Sequence, residues 1–471
     1  MIIFCDSSRK VLKSLLIRQK KCNFASIIRQ EKCITMKREL FNSLVMWKKN
    51  RDRKPLILEG ARQVGKTWLL KEFGQKEYDN MVYINCADDS FARSLFMADL
   101  KPNRIIRDIM AHTEQKIVAG RTLIFFDEIQ ESPQGISSLK YFCENAPEHH
   151  VVVAGSLLGV VHHPGESYPV GKVDIMRLYP MTFEEFLWAK GCETLSEMTA
   201  NCEWESLRVL HDKLADLLRQ YYFVGGMPEA VLSWITNEDI QRIRRIQTSI
   251  IDSYTNDISK HAGNLTERIR MVWNSIPAQL AKENKKFIYG AIKKGARAKD
   301  FEEAIQWLVD AGLVYKIHRT KSPQIPMKFY EDFDAFKLYL LDVGLLGALS
   351  EVSAAQMLVS NDVFKEFKGA FTENYVLQQL KNLRNAYIYY FSKENSKVEI
   401  DFLVQTDSRL LPIEIKAEKN VKSKSFKQFV TIDHAEKKLK GLRCSMLPYM
   451  NQGWMENIPL YSVQWYTRSL S

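Results

Sequence analysis

The stretch that most restricts the fold is Pro55–Leu70, PLILEGARQVGKTWLL. It contains Gly60, Ala61, Arg62, Gln63, Val64, Gly65, Lys66 and Thr67, a complete G-x-x-x-x-G-K-[ST] loop. The apolar run Leu56-Ile57-Leu58 before it reads as a buried strand, and Trp68–Phe73 after it is apolar and helix-permissive. Strand, glycine-bounded turn and helix start are what phosphate binding requires. Backbone N–H groups at a helix N-terminus point at phosphate oxygens, and the helix dipole favours negative charge there. On this reading Lys66 reaches the β- and γ-phosphates of ATP and the Thr67 hydroxyl ligates Mg²⁺.

Further short apolar runs follow at Val82–Cys86, Leu123–Phe126 and Val151–Ala154, separated by polar or helix-like sequence. Strands alternating with helices predict an α/β domain with a parallel sheet covered on both faces. The run Leu123–Phe126 delivers Asp127 and Glu128 to the carboxyl end of its strand, where ligands sit in open α/β sheets. Asp127 suits a Mg²⁺ ligand opposite Thr67, and Glu128 suits the catalytic base that orients the attacking water. Ser156, just past the strand ending at Ala154, suits a sensor of the γ-phosphate; a capping serine at a strand-end turn is the plainer alternative. Lys66, Glu128 and Ser156 are thus the candidate catalytic residues.

A chain of 471 residues is too long for one ordinary core and predicts two or three domains. Its formal charge is +11, but residues 1–35 hold eight Lys/Arg against two Asp/Glu, so the remainder is only mildly basic at +5. That permits nucleic-acid binding without arguing for it. No apolar run is long enough for a transmembrane helix, so no membrane association is expected. Eight scattered cysteines with no zinc spacing read as reduced thiols of a cytoplasmic protein. Residues 1–35 read as a non-native or disordered extension, or a targeting peptide, because the first helix-like pattern opens at Met36-Lys37-Arg38-Glu39.

Four segments together carry a family resemblance: GARQVGKT, IFFDEIQESP, VVVAGSLLG and YPMTFEEF (Tyr179–Phe186). The chain resembles the AAA-type ATPase family of bacteria and archaea whose members carry a C-terminal domain of unknown function. One departure is Gly171-Lys172, where that family usually shows Gly-Arg. Lysine lacks the planar fork that stabilises a phosphoryl transition state, which leaves Arg177, Arg62 and Arg121 as candidates for that role.

The middle carries leucines at helical spacing from Leu207 to Leu218, then Gly225-Gly226-Met227-Pro228-Glu229, a helix stop and corner. Lys299–Leu308 is helix-like and Ala311–Tyr315 strand-like, an order that resembles a winged helix. Lys285, Lys286, Lys293, Lys294, Arg297 and Lys299 would suit DNA phosphates, whereas Asp300, Glu302 and Glu303 oppose that reading.

Beyond Phe371 a helix precedes strand-like runs at Ala386–Phe391, Val398–Val404 and Leu411–Lys416. Strand alternation puts Glu414 and Lys416 on one face, with Asp401 in the adjacent run expected to meet them. Asp then Glu-x-Lys resembles the PD-(D/E)xK nuclease core, a restriction-endonuclease-like α/β fold in which Glu373 fits an extra acidic position. The alternative is an amphipathic hairpin with a salt-bridged exposed face. Nearby Lys419, Lys422, Lys424 and Lys427 suit a phosphate backbone or a solvated helix equally.

The expected organisation is therefore an extension (1–35), a P-loop AAA-type domain (36–190), a helical and winged-helix-like region (191–350) and a PD-(D/E)xK-like domain (351–471). The expected activity is Mg²⁺-dependent ATP hydrolysis coupled to a C-terminal effector. An ATP-dependent DNA nuclease and a slow nucleotide-gated regulatory module are the alternatives, with DNA or a protein as partner and an oligomer open.

Overall fold

The computed structural model describes residues 36–156, 169–282, 285–358, 365–383, 385–393, 398–407, 409–417 and 423–470. The expectations for residues 1–35, for Leu157–Gly159 of the VVVAGSLLG segment and for Lys419 and Lys422 fall outside them.

The apolar runs of the first part become strands of one sheet: β1 (Leu56–Glu59), β2 (Asn80–Asn85), β3 (Thr122–Asp127), β4 (His150–Ala154) and β5 (Asp174–Arg177). Their order is β2-β3-β4-β1-β5, and every pairing is parallel. β3 and β4 are buried throughout because helices cover both faces, which is why they read as unbroken apolar runs. Leu56 and Leu58 face one apolar cluster and Ile57 the other, so the sheet separates two cores. β5 is the strand that the sequence did not announce. It lies at the sheet edge, its residues alternate between half-buried and exposed, and it carries no apolar run.

The middle is helical. The leucine-rich segment forms two helices, Trp204–Val209 and His211–Val224, rather than one, with the break at Leu210. After Pro228–Asn237 comes the long helix Ile240–His261, then Thr266–Leu280 and Ala298–Asp310. The helix Ala298–Asp310 leads into an antiparallel hairpin of β6 (Val314–Thr320) and β7 (Glu331–Leu340).

That hairpin does not end the middle region's fold. It is one side of an eight-stranded sheet, β12-β13-β11-β10-β9-β8-β6-β7, whose other strands come from the last part of the chain. These are β8 (Tyr387–Ser392), β9 (Glu399–Gln405), β10 (Leu410–Lys416), β11 (Gly441–Ser445), β12 (Met450–Asn451) and β13 (Met455–Pro459). The join is parallel, Arg319 to Tyr390 and Thr320 to Phe391. One sheet therefore runs across residue 350.

Segments far apart in the chain meet at Asp342, which is wholly buried. Its carboxylate accepts from the Gly226 N–H at 2.6 Å, from the Leu345 N–H at 3.0 Å and from Gln378 Nε2 at 3.0 Å. Gly226 in turn accepts through its carbonyl from the Met181 N–H at 2.7 Å, and a Cβ there would lie 2.1 Å from the Met181 carbonyl oxygen. The Gly225-Gly226 corner and the Asp342-x-Gly344 turn are thus two halves of one contact. Gln379 closes it by accepting from the Phe183 N–H at 3.0 Å.

Candidate functional site

β1 ends at Glu59, and the chain turns through Gly60 (φ 150°), Gln63 (φ 66°) and Gly65 (φ 95°) into the helix Lys66–Glu77. Gly60 has no room for a side chain, since a Cβ would sit 2.3 Å from the Leu178 carbonyl oxygen. Lys66 is buried and donates to the carbonyls of Gly60 and Ala61, both at 2.8 Å. Burial lowers its ammonium to about 8, against the raising influence of Glu128 and Asp127.

Strand order brings the other residues to this loop. β4 lies between β1 and β3, with Leu58 opposite Ala154 and Phe126 opposite Val153. Gly60, Ser156 and Asp127 therefore emerge at the same edge of the sheet. The Thr67 hydroxyl donates to Asp127 Oδ2 at 2.7 Å, and the Tyr83 phenol donates to the same oxygen at 3.1 Å. A hydroxyl and a carboxylate meeting in this way form an all-oxygen donor pair of the kind a hard divalent cation takes, so Thr67 and Asp127 fit Mg²⁺. Glu128 follows in the left-handed region (φ 50°), which turns it out of the strand line, and Gln130 Nε2 donates to it at 2.5 Å. Ser156 is buried beside Gly155, Gly60 and Ala61 in one cavity.

Residues that the sequence did not single out hold this loop. Arg38, buried ahead of the first helix, donates to the Val64 carbonyl at 2.8 Å and to the Tyr179 carbonyl at 2.6 Å, and pairs with Glu185 at 3.1 Å. Tyr254 and Asp257, on the helix Ile240–His261, grip Arg62: the phenol donates to its carbonyl at 2.9 Å and the carboxylate accepts from its guanidinium at 2.7 Å. A local signal exists only for Glu185, which forms a capping box with Thr182.

The transition-state candidates now separate. Arg177 ends β5 and pairs with Glu59 at 2.7 Å, next to the loop. Arg62 is in the loop itself. Arg121 precedes β3, at the opposite end of the sheet, and is paired with Asp79. Lys172, at the family's arginine position, is paired with Glu144 at 2.9 Å.

Near the C-terminus Glu414 and Lys416 share a face as the alternation predicted, while Glu373 is taken up by Lys285 and Lys337. Glu373, on the helix Lys365–Leu380, accepts from Lys285 at 2.6 Å and from the Tyr339 phenol at 3.0 Å. Lys337, also buried, bonds Glu399 at 2.7 Å and lies 4.0 Å from Glu373. Asp401 belongs to this group: burial and the neighbouring Glu373 push its carboxyl up to about 7, and it in turn raises the buried thiol of Cys444. Glu414 instead pairs with Lys416 at 3.0 Å, bonds Ser423 and acts on Arg443. Cys444 and Arg443 are the register partners of Ile415 and Glu414, and Asp401 Oδ2 accepts from the Ile415 N–H at 2.7 Å, between Glu414 and Lys416. The β8–β9 pairing is irregular beside Asp401, where Tyr389 opposes Leu403 but Phe391 opposes Ile400. Asp401 thus reaches the strand of Glu414 and Lys416 through the Ile415 backbone.

Lys285 is likewise taken up by Glu373, whereas Lys286, Lys293, Lys294, Arg297 and Lys299 are exposed. Cys86, Cys143, Cys192, Cys202 and Cys444 are free thiols, no group of acids, histidines and cysteines could hold a metal by geometry, and no helix is long and apolar enough to cross a membrane, all among the described residues.

Comparison with known proteins agrees with the first site and leaves the rest unassigned. No curated protein matches the chain. Among solved structures, the Aeropyrum pernix ORC1 protein in complex with DNA is 13% identical over 69% of this chain and 95% of that one, with a TM-score of 0.27. The Thermotoga maritima RuvB Holliday junction branch migration motor is 15% identical over 59% and 89%, with a TM-score of 0.28. Pyrobaculum aerophilum Cdc6p is 13% identical over 70% and 93%, with a TM-score of 0.24. Superpositions this loose carry no argument about the present chain. Residues 215–356 and 368–462 match two families described only as domains of unknown function, DUF8612 and DUF4143. Residues 52–187 match the family described as the AAA domain, a span that takes in the phosphate loop, Asp127, Glu128 and Ser156, and that match supports an AAA-type P-loop domain and ATP binding.

Proposed function

We propose that the chain is a Mg²⁺-dependent ATPase of AAA type that couples its nucleotide state to the regions beyond residue 190. The observation that carries this reading is the 2.7 Å bond from Thr67 to Asp127, which unites the phosphate loop with the acid at the end of β3. Residues Gly60–Thr67 bind the phosphates through backbone N–H groups, with Lys66 exchanging the carbonyls of Gly60 and Ala61 for phosphate oxygens. Thr67 and Asp127 would hold Mg²⁺, which would supply positive charge against the charge that develops on the phosphates. Glu128 orients the attacking water and takes its proton, and Ser156 contacts the γ-phosphate. Coupling is supported by the grip of Tyr254 and Asp257 on Arg62, because a loop that reshapes around phosphate pulls on the helix Ile240–His261.

The test is ATP turnover by the full chain. Lys66→Ala should abolish nucleotide binding, and Glu128→Gln should slow hydrolysis while sparing binding. Undiminished turnover by Glu128→Gln would remove the base assignment. Rates with and without single- and double-stranded DNA address the partner: stimulation points to DNA acting through the exposed Lys293, Lys294, Arg297 and Lys299, and indifference points to a protein. Nuclease activity has less support, since Asp401 and Glu414 have different neighbours.

A further inference from the structure

A cavity of about 110 Å³ opens beside the phosphate loop, lined by Gly60, Ala61 and Ser156 and by three cations, Arg177, Lys316 and Lys381. Lys381 comes from the far end of the chain, one residue past the helix Lys365–Leu380. Its ammonium lies 5.5 Å from the ring centroid of Tyr315, another wall of the cavity. Among the described residues no carboxylate pairs with it; burial and the Arg177 charge act on it together, and both lower its affinity for a proton. Lys316 has its ammonium 4.4 Å from the Phe336 ring centroid, again without an ion pair among the described residues.

The acids in the wall offset only part of this charge. Glu59 is engaged with Arg177 at 2.7 Å, and Asp310 accepts from Gln306 at 2.7 Å. Against three cations the wall holds two acids, and Lys381 pairs with neither of them. Holding like charges together where water is restricted costs free energy, and an anion between them removes that cost. Both phosphate-loop residues in the wall belong to the start of the loop, so the anion would sit against Gly60 and Ala61.

We infer that this cavity is a phosphoanion site completed by Lys381 from the C-terminal region. The anion is either the terminal phosphate of the nucleotide, which rests on the ATPase reading above, or a separate phosphate ion. In the first case Lys381 ties the C-terminal region to the nucleotide's phosphate count. Its position one residue past the helix that bears Gln378 and Gln379 would carry the event to the Asp342 contact.

The experiment uses the full chain and Lys381→Met, which keeps the apolar stem. Affinities for ATPγS and ADP are measured by calorimetry, and thermal stabilisation by millimolar inorganic phosphate is read in parallel. A loss of about tenfold or more for ATPγS, with ADP unchanged, supports the nucleotide phosphate as the occupant. Unchanged nucleotide affinities with loss of the phosphate-induced shift support the separate ion. Lys381→Arg should restore whichever effect is lost. Equal weakening of ATPγS and ADP signals a structural role and overturns the proposal, as does no change in any readout. A wild-type chain that binds no nucleotide sinks the ATPase reading instead, and the phosphate arm still decides this one. Should Lys381→Met fail to fold by circular dichroism, Lys381→Gln takes its place with the same expected outcomes.

Discussion

The phosphate-loop site and the cluster around Glu373 use the same side chains, acids with lysine and a hydroxyl, and arrange them in opposite ways. At the loop, Lys66 is held by backbone carbonyls and Asp127 by the hydroxyls of Thr67 and Tyr83. Neutral dipoles orient the charges without cancelling them, so the charges remain available to a ligand. Around Glu373, the acids meet Lys285 and Lys337 of the same chain, and the ionic interaction is spent internally. A listing of residue types does not separate these cases; the partner of each charge does.

The comparison breaks most visibly at Glu128. If the loop is the reacting site, Glu128→Gln should lower turnover by about 10²- to 10⁴-fold, with nucleotide affinity nearly unchanged in equilibrium titrations. The complementary change is Lys337→Met, which takes the counter-charge from Glu399 and leaves Glu373 with Lys285 alone. It should cost about 3–5 kcal/mol in urea denaturation, and a loss no larger than that of the exposed Lys293→Met would show that the cluster does not hold the fold together.

Asp401 sharpens the same contrast through pH. Its carboxyl is pushed up to about 7 from an ordinary 3.8 by burial and by Glu373. Between those values the folded chain keeps a proton that the unfolded chain releases, so this group's stabilising contribution is complete below the ordinary value and declines as pH rises to about 7. Asp401→Asn should remove that slope, worth up to about 1.4 kcal/mol per pH unit, in melts between roughly pH 5 and pH 7. Parallel profiles for variant and wild type would contradict it. The smallest effect belongs to Asp257→Asn, because Arg62 is half exposed: about 1 kcal/mol or less in stability, with any larger change confined to nucleotide-dependent helix motion read by hydrogen exchange.

What could be read in advance follows from how local each signal is. β1, β3 and β4 are apolar runs buried on both faces, β2 keeps a buried Val82 and Ile84, and the loop Gly60–Thr67 carries its own turn geometry, so all were legible. β5 was not, since an edge strand with alternating exposure leaves no apolar run. Arg38, Tyr254 and Asp257 reach the loop from 26, 192 and 195 residues away, and no neighbouring residue betrays them. Alternation put Glu414 and Lys416 on one face, where they pair, but the bond from the Ile415 N–H that draws Asp401 between them crosses strands and has no local signal. Nor did the run of one sheet across residue 350 leave a trace, as the parallel contact of β6 with β8 joins strands that lie some 70 residues apart.

The Asp342 contact bears on how this polypeptide can be handled as pieces. A fragment ending near residue 190 would present the Met181 and Phe183 N–H groups to solvent without Gly226 or Gln379, and one ending near 350 would strip Asp342 of Gln378. Each cut uncovers apolar surface that the three stretches bury together in a single cluster running from Met36 to Trp465. Truncations at those positions should precipitate rather than yield tractable parts, and a transplanted C-terminal region would have to bring the Asp342 turn and its matching glycine corner with it.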